Sequence, residues 1–413
     1  MLDYEFTCKE RFLKYVKYDT QSDENSGTYP SSEKQNVFLR ELLSELKGMD
    51  VDAIMDESGY VYAHIKSNTN KKVTPIGFIA HVDTSPAAPA SNIHPIFHKN
   101  YQGGNIKLPK DNQMITAADS LALHDKKGHD IITSDGSTLL GADDKSGVTE
   151  IMDAVNYIAK NPQIKHGDIM FAFTTDEEIG RGVEKFDIQK FGAKYAYTLD
   201  GENVGETEIE TFNGDRIIIT ITGKSTHTGY GKNKMINSLK IAAEFISKLP
   251  KNRWSPETTD GMDGFAHVDY INGNEGFTIV KMLVRDFDEK KLIEYEEHIR
   301  KMMTETILSY PGATFNMEVI EQYRNMKKIL DKHPQVAEYA MEAMRNIGIK
   351  PYVQTVRGGT DGCRLSYMGL PTPNIFSGEH NFHSKTEWVS VQDMELAVEM
   401  IIEICKVWEQ KGQ

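Results

Sequence analysis

Apolar residues recur at helical spacing from Phe12 to Val16 and again at Val37, Leu39, Leu42, Leu43 and Leu46, with Ser31 and Ser32 ahead of the second run as N-cap candidates. The period then changes. Residues 60–65 and 75–80 are short β-rich runs, and the second leads into His81-Val-Asp-Thr84, so polar side chains stand where a buried strand reaches its C-terminal edge. Gly141-Ala-Asp-Asp-Lys-Ser-Gly147 opens a helical stretch over 148–159. The apolar run 169–173 ends in Thr174-Thr-Asp-Glu-Glu-Ile-Gly180, and the run 195–199 ends in Asp200. Three buried strands with helix between them thus stop at a His or an acid. This alternation predicts a mostly parallel α/β sheet whose carboxyl edge gathers those groups.

From about residue 211 the order shifts. Residues 216–222 alternate at strand period, a helix follows over 236–249, strands follow at 266–271 and 277–284, and another helix and strand close the segment. The α/β pattern returns with a helix over 336–346, the segment Arg357-Gly-Gly-Thr-Asp-Gly362, a strand at 372–376, the loop Gly378-Glu-His-Asn-Phe-His383 and a final amphipathic helix. The expected architecture is an α/β domain, with a mixed sheet flanked by helices, in two parts (1–208 and 323–413), interrupted by an α+β domain over 209–322. The polar stretch 85–137 is expected to carry hairpin structure, with Asp135-Gly136 as its turn signal.

Length and charge narrow the function. A chain of 413 residues exceeds what one core usually organises. The formal net charge of -14 argues against a nucleic-acid or anionic-membrane partner, because polyanions need a basic footprint. Cys8, Cys363 and Cys405, an odd number at wide spacing, fit neither a disulfide scaffold nor a cysteine-based zinc module, so a reducing cytoplasm is expected. The stretch from Met1 to Arg11 is charged from Asp3 and lacks a signal-peptide core, and no apolar run reaches membrane-spanning length.

Nucleophile signatures are missing. There is no Gly-x-Ser-x-Gly elbow, and Gly223-Lys-Ser225 has Ile218 where a phosphate loop needs its upstream glycine. What remains is a set of metal-ligand types at predicted strand ends and loops: His81, Asp83, Asp143, Asp144, Glu177, Glu178, Asp200 and His383. Singly, each has an ordinary reading as a turn, a helix cap, a solvated loop or a surface histidine. Together they do not, because carboxylates gathered at one sheet edge repel unless cations sit among them.

These residues resemble the M20 zinc exopeptidases, whose signatures are a strand ending in His-x-Asp, a Gly-x-Asp-Asp-Lys turn, a Glu-Glu pair, a later Asp and a C-terminal His. The resemblance runs over essentially the whole chain and implies two zinc ions per subunit, His81 and Asp200 holding one, Glu178 and His383 the other, and Asp143 bridging. Asp144 is then a neighbour. Asp83 matches the acid that orients the ligating imidazole, and Glu177 the general base that takes a proton from the attacking water. On an extended chain the adjacent glutamates are expected to point opposite ways, one to a metal and one to the water. The wording implies the branch that releases the N-terminal residue of tripeptides. His227 is the expected oxyanion donor from the inserted domain, where Ser225-Thr-His227-Thr-Gly229 lacks the family's usual proline after the His. Ser384 and Thr386 replace a frequent Gly and His. Arg357, with Arg285 second, is the candidate for the cation that grips the substrate's carboxylate and so limits peptide length.

The expected partner is a short peptide, with a homodimer through the inserted domain as a further expectation. Competing readings are a sister amidohydrolase or carboxypeptidase, a non-catalytic peptide-binding protein, and a phosphatase or nuclease.

Overall fold

The structure is a computed structural model that describes residues 4–118 and 120–413; Met1 to Asp3, which open the N-terminal stretch read above, lie outside the described residues. The chain forms two compact units, one comprising the chain up to Ile209, Met326–Gln354 and Thr360–Gln413, the other Glu210–Asn325 and Thr355–Gly359.

The first unit is organised by an eight-stranded mixed sheet in the order Asp52–Met55, Val61–Ile65, Ile169–Thr174, Ile76–His81, Tyr195–Gly201, Asn374–Phe376, Glu206–Thr211, Tyr352–Val356. Its last two strands run on into the second unit. The central strands are parallel: Ile76–His81 pairs with Ile169–Thr174 on one side and Tyr195–Gly201 on the other, and Asn374–Phe376 continues the parallel run. Being covered on both faces, they read as continuous apolar runs rather than alternating ones.

Alternate side chains nevertheless serve different cores. Phe78, Phe171, Phe173 and Tyr197 face the core that contains helices Ala142–Lys160 and Val391–Gln410, while Ile79, Ala172 and Ala196 pack with Phe186, Phe191, Leu365 and Leu370. Phe78 stacks between Phe171 and Tyr197, with ring centroids 6.0 and 5.6 Å apart. A fully buried aromatic of this kind stabilises by roughly 1.5–3 kcal/mol relative to exposure. This packing fixes the register that brings His81, Thr174 and Asp200 to the same edge.

One local expectation is corrected, and of the two N-cap candidates one holds the position. The hairpin in the stretch 85–137 does not turn at Asp135-Gly136; it joins Ile106–Lys107 to Met114–Ile115. Asp135 instead folds back on Ser137, its Oδ1 accepting from the Ser137 nitrogen at 2.9 Å, after Ile131–Thr133 has entered a four-stranded sheet with Ile96–His98, Trp388–Ser390 and Glu379–His380. Ser32 does occupy the N-cap of helix Glu33–Gly48, but its hydroxyl makes no cap bond, and Ser31 is used elsewhere, donating its nitrogen to Asp176 Oδ2 at 2.7 Å.

The second unit is an antiparallel sheet, Phe265–Gly273, Phe277–Asp286, Asn213–Thr222 and Thr314–Tyr323, with helices Ser238–Lys248 and Glu289–Ile307. Ile217, Ile219 and Ile221 are buried in its core with Ile241, Phe245, Leu292 and Ile299, the period-two stripe meeting helical ones. Asn237 and Asp288 cap the two helices through side-chain oxygens. Residues 355–359 join this unit because Arg357 and the carbonyls beside it bond to it: Phe212 donates to the Val356 and Gly358 oxygens, each at 3.2 Å.

Candidate metal centre

His81 ends its strand buried, and its ring is fixed at both ends. Nδ1 lies 3.1 Å from the Asp83 carbonyl oxygen and 3.3 Å from Asp83 Oδ1, while Nε2 lies 2.9 Å from Asp143 Oδ1 and 3.6 Å from Asp200 Oδ1. Asp143 has a second imidazole on its other oxygen: His383 Nε2 is 3.0 Å from Asp143 Oδ2 and 2.8 Å from Glu178 Oε2. Asp143 therefore stands between two groups, His81 with Asp200 and His383 with Glu178.

The turn that carries Asp143 is held by a residue that sequence reading missed. Glu387, buried, accepts from the nitrogens of Leu140 and Gly141 through Oε2 and of Asp143 through Oε1, at 2.6, 2.8 and 3.0 Å. The Asp143–Asp144 peptide bond is cis. Both Asp144 oxygens are taken by backbone, Oδ2 by the His81 nitrogen and Oδ1 by the Gly147 nitrogen, each at 3.0 Å. Although Asp144 lies near His81 and Asp200, it is used as a brace between strand and helix. Gly147 lets this happen, since a Cβ there would lie 2.2 Å from the Leu199 oxygen and 2.3 Å from Asp144 Oδ1.

Glu177 and Glu178 do not lie on extended chain as expected. They form a 3-10 turn, Glu177–Ile179, because Asp83 gathers their amides: Oδ1 accepts from the Glu177 nitrogen at 3.0 Å and Oδ2 from the Glu178 nitrogen at 3.2 Å. Asp200 is set by Asn374, whose side chain bonds both the nitrogen and the carbonyl oxygen of Asp200. Asp361, from the Arg357–Gly362 segment, is buried beside Thr174, whose hydroxyl donates to it at 3.1 Å. Glu379 is a further buried carboxylate whose ligand atom falls within 4.8 Å of those of Asp143 and Asp200.

The electrostatics follow from so many acids in so little water. Burial, and then the charge of Asp143, push Glu178 up to about 8, with His383 opposing. Burial also raises Glu177 and, with nearby acids, Glu379 well above the usual carboxylate range, and burial with the charge of Asp143 raises Asp200. Asp143 goes the other way: burial would raise it, but the His383 and His81 imidazoles beside its two oxygens hold it well below. For His383 burial opposes the charged ring and is outweighed by Asp143 and Glu178, which lift it to about 11.

A cation fits here on the side chains themselves. His81 Nε2 and Glu178 Oε1 are sealed from solvent without a hydrogen bond of acceptable geometry. Among the described residues, His81, Asp144 and Asp200 form one group of candidate ligands and Asp143, Glu178 and His383 another. Imidazole with carboxylate is a donor set for zinc and its neighbours.

The two remaining candidates lie in the second unit. His227 is exposed and begins a short turn, its Nδ1 accepting from the Gly229 nitrogen at 3.2 Å. That places the neutral ring's hydrogen on Nε2. Arg357 is engaged: its Nη1 donates to the oxygens of Gly261 and Asp263 at 2.7 and 2.8 Å, its Nη2 to Thr259 Oγ1 at 3.1 Å, and the guanidinium lies over Phe212. Arg285 is buried, bonded to Asp215 O and Gln322 Oε1 and stacked on Tyr323.

The family model for peptidase family M20/M25/M40 matches residues 133–406. Peptidase T of Caldanaerobacter subterraneus subsp. tengcongensis is 46% identical over 405 residues, covering 98% of this chain and 99% of that protein. Among solved structures, a tripeptidase from Staphylococcus aureus subsp. aureus Mu50 aligns with a TM-score of 0.75 at 23% identity over 98% of both chains. The Bacillus subtilis YXEP protein, a dinuclear metal-binding peptidase from the M20 family, aligns at 0.65 with 13% identity over 97% of both chains. The two structural likenesses are of fold, whereas the family match spans most of the first unit's motifs and the relative spans nearly the full chain. With its strand-end His and acids in the family's order, the chain belongs to peptidase family M20/M25/M40.

Proposed function

We propose that this protein releases the N-terminal residue of tripeptides, and that His81, Asp143, Glu178, Asp200 and His383 hold two zinc ions at its centre. The observation that carries the reading is Asp143, whose two oxygens face two different imidazoles at 2.9 and 3.0 Å. A carboxylate so placed would be shared between a site built on His81 and Asp200 and one built on His383 and Glu178. Metal ions held by these residues would supply acidification of a water and polarisation of the peptide carbonyl.

The chain's own residues supply the rest. Glu177, its amide fixed by Asp83, takes the proton of the attacking water and passes it to the leaving amine. Asp83 orients the His81 ring and the glutamate turn together, which makes it a positioning residue as well as an acid beside the metal. His227, with its hydrogen on Nε2, is a substrate-binding donor suited to a developing oxyanion. Arg357 is the candidate cation for the substrate's C-terminal carboxylate, exchanging loop carbonyl oxygens for a charged partner. The acting form takes a short peptide in the cytoplasm, where Cys8, Cys363 and Cys405, all buried and free, stay reduced. None of the described helices is long and apolar enough to cross a membrane. The second unit is the surface through which two copies would pair.

A panel of tripeptides with free and blocked termini tests this. Blocking either end should lower kcat/KM by about tenfold or more, since a charged partner is left unpaired. Equal hydrolysis of N-acetylated and free tripeptides would overturn the aminopeptidase assignment in favour of an amidohydrolase of N-acylated substrates.

A further inference from the structure

Glu379 has no part in the two-zinc reading, yet it sits inside the same centre. It belongs to the two-residue strand Glu379–His380, pairs across to Val389, and is 2% exposed. Its carboxylate reaches the Asp143 and Asp200 oxygens, all three ligand atoms lying within 4.8 Å of one another, and its Oε2 accepts from Ser146 Oγ at 3.1 Å. That hydroxyl also lies 2.6 Å from the Ala142 oxygen and 3.4 Å from Ser377 Oγ, so its single hydrogen is shared and leaves the Glu379 oxygens with acceptor capacity to spare.

A second observation points to a cation at this spot. His81 Nε2 faces the same two aspartates, at 2.9 Å from Asp143 Oδ1 and 3.6 Å from Asp200 Oδ1, and is sealed from water without a properly aligned hydrogen bond. Three acids and one imidazole nitrogen converge from four segments of chain. An oxygen-rich set of this kind suits harder divalent ions more than a set with equal imidazole and carboxylate does.

We propose that Glu379 is an additional carboxylate donor to the ion held by His81 and Asp200, and that it shifts this site's preference toward an oxygen-seeking ion such as manganese relative to zinc. The inference rests on the two-metal reading above. It makes Glu379 a determinant of which metal occupies one of the two positions, with His383 and Glu178 setting the other.

The test is metal binding to the metal-stripped full-length protein, by competition with a chelator for zinc and by the paramagnetic resonance of bound manganese. In Glu379→Gln, manganese affinity at one of two sites should fall about tenfold or more, with a smaller loss for zinc, so the manganese-to-zinc ratio falls. Glu379→Asp, which keeps the charge but withdraws the oxygen by one methylene, should lower the ratio too and serves if the Gln variant does not fold. Unchanged affinities, or equal losses for both ions, overturn the proposal while leaving the two-metal centre intact. A wild-type protein that binds fewer than two ions overturns the metal reading itself, and this inference with it.

Discussion

Asp83 Oδ1 lies 3.0 Å from the backbone nitrogen of Glu177. The same carboxylate holds the Glu178 nitrogen through Oδ2 and stands 3.3 Å from His81 Nδ1, so one buried acid sets the orientation of an imidazole and of both glutamates. Asp83→Asn keeps the size but turns an amide NH2 toward one of those N–H donors. Metal affinity should fall by about 10- to 100-fold, with a larger loss in kcat than in KM. Full metal content together with wild-type turnover would remove Asp83 from this role.

Glu177→Gln leaves the ligands in place and removes the base. Turnover should drop by on the order of 10² to 10⁴ while the stoichiometry of bound metal is unchanged. Simultaneous loss of metal would mean that Glu177 is a ligand, and near-normal turnover would move the base elsewhere.

Arg357 ties Thr259, Gly261 and Asp263 to its own segment. Arg357→Ala should lower stability by about 1.5–3 kcal/mol, the range for hydrogen bonds to a charged group, and should speed amide exchange over residues 259–263. A carboxylate-gripping role adds a second signature: KM should rise for free tripeptides and not for their C-terminal amides. An equal rise for both would confine Arg357 to bracing the loop.

Glu208, which shares the Asn374 amide with Asp200, provides a pH test on a carboxyl outside the proposed ligand set. It is buried, and burial and then Glu206 push it up to about 8 from an ordinary 4.5, with Asn374 Nδ2 donating to its Oε2 at 2.6 Å. Its folded value exceeds its unfolded one, so its contribution to stability is fully present below pH 4.5 and is lost as pH rises toward 8, where the unfolded chain releases a proton that the folded chain keeps. Glu208→Gln should therefore raise the melting temperature at pH 8 and change it little at pH 4.5. A shift of the same size at both pH values would show that the proton plays no part.

The order of buried strands ending in polar residues, the ligand types at those ends and the Ile217, Ile219, Ile221 stripe of the second unit were legible in the chain itself. Burial on both sheet faces produces apolar runs, and the carboxyl edge of a parallel sheet is where such runs release polar groups. The sequence by itself thus determined that His81, Asp200 and the Glu177-Glu178 pair stand at one edge. It did not determine how they are aimed. The glutamates were expected on extended chain and lie in a tight turn because Asp83, 94 residues before Glu177, accepts their amides. Glu387 shapes the Asp143 turn from 244 residues away. Glu379 meets Asp143 and Asp200 because its short strand pairs with Trp388–Ser390. Arg357, the sequence's candidate substrate cation, is bonded to a loop 94 to 98 residues earlier. Such residues look like ordinary polar loop residues where they stand, since no local period marks them. Only tertiary structure, by desolvating them against distant amides and carboxylates, made their partners obligatory.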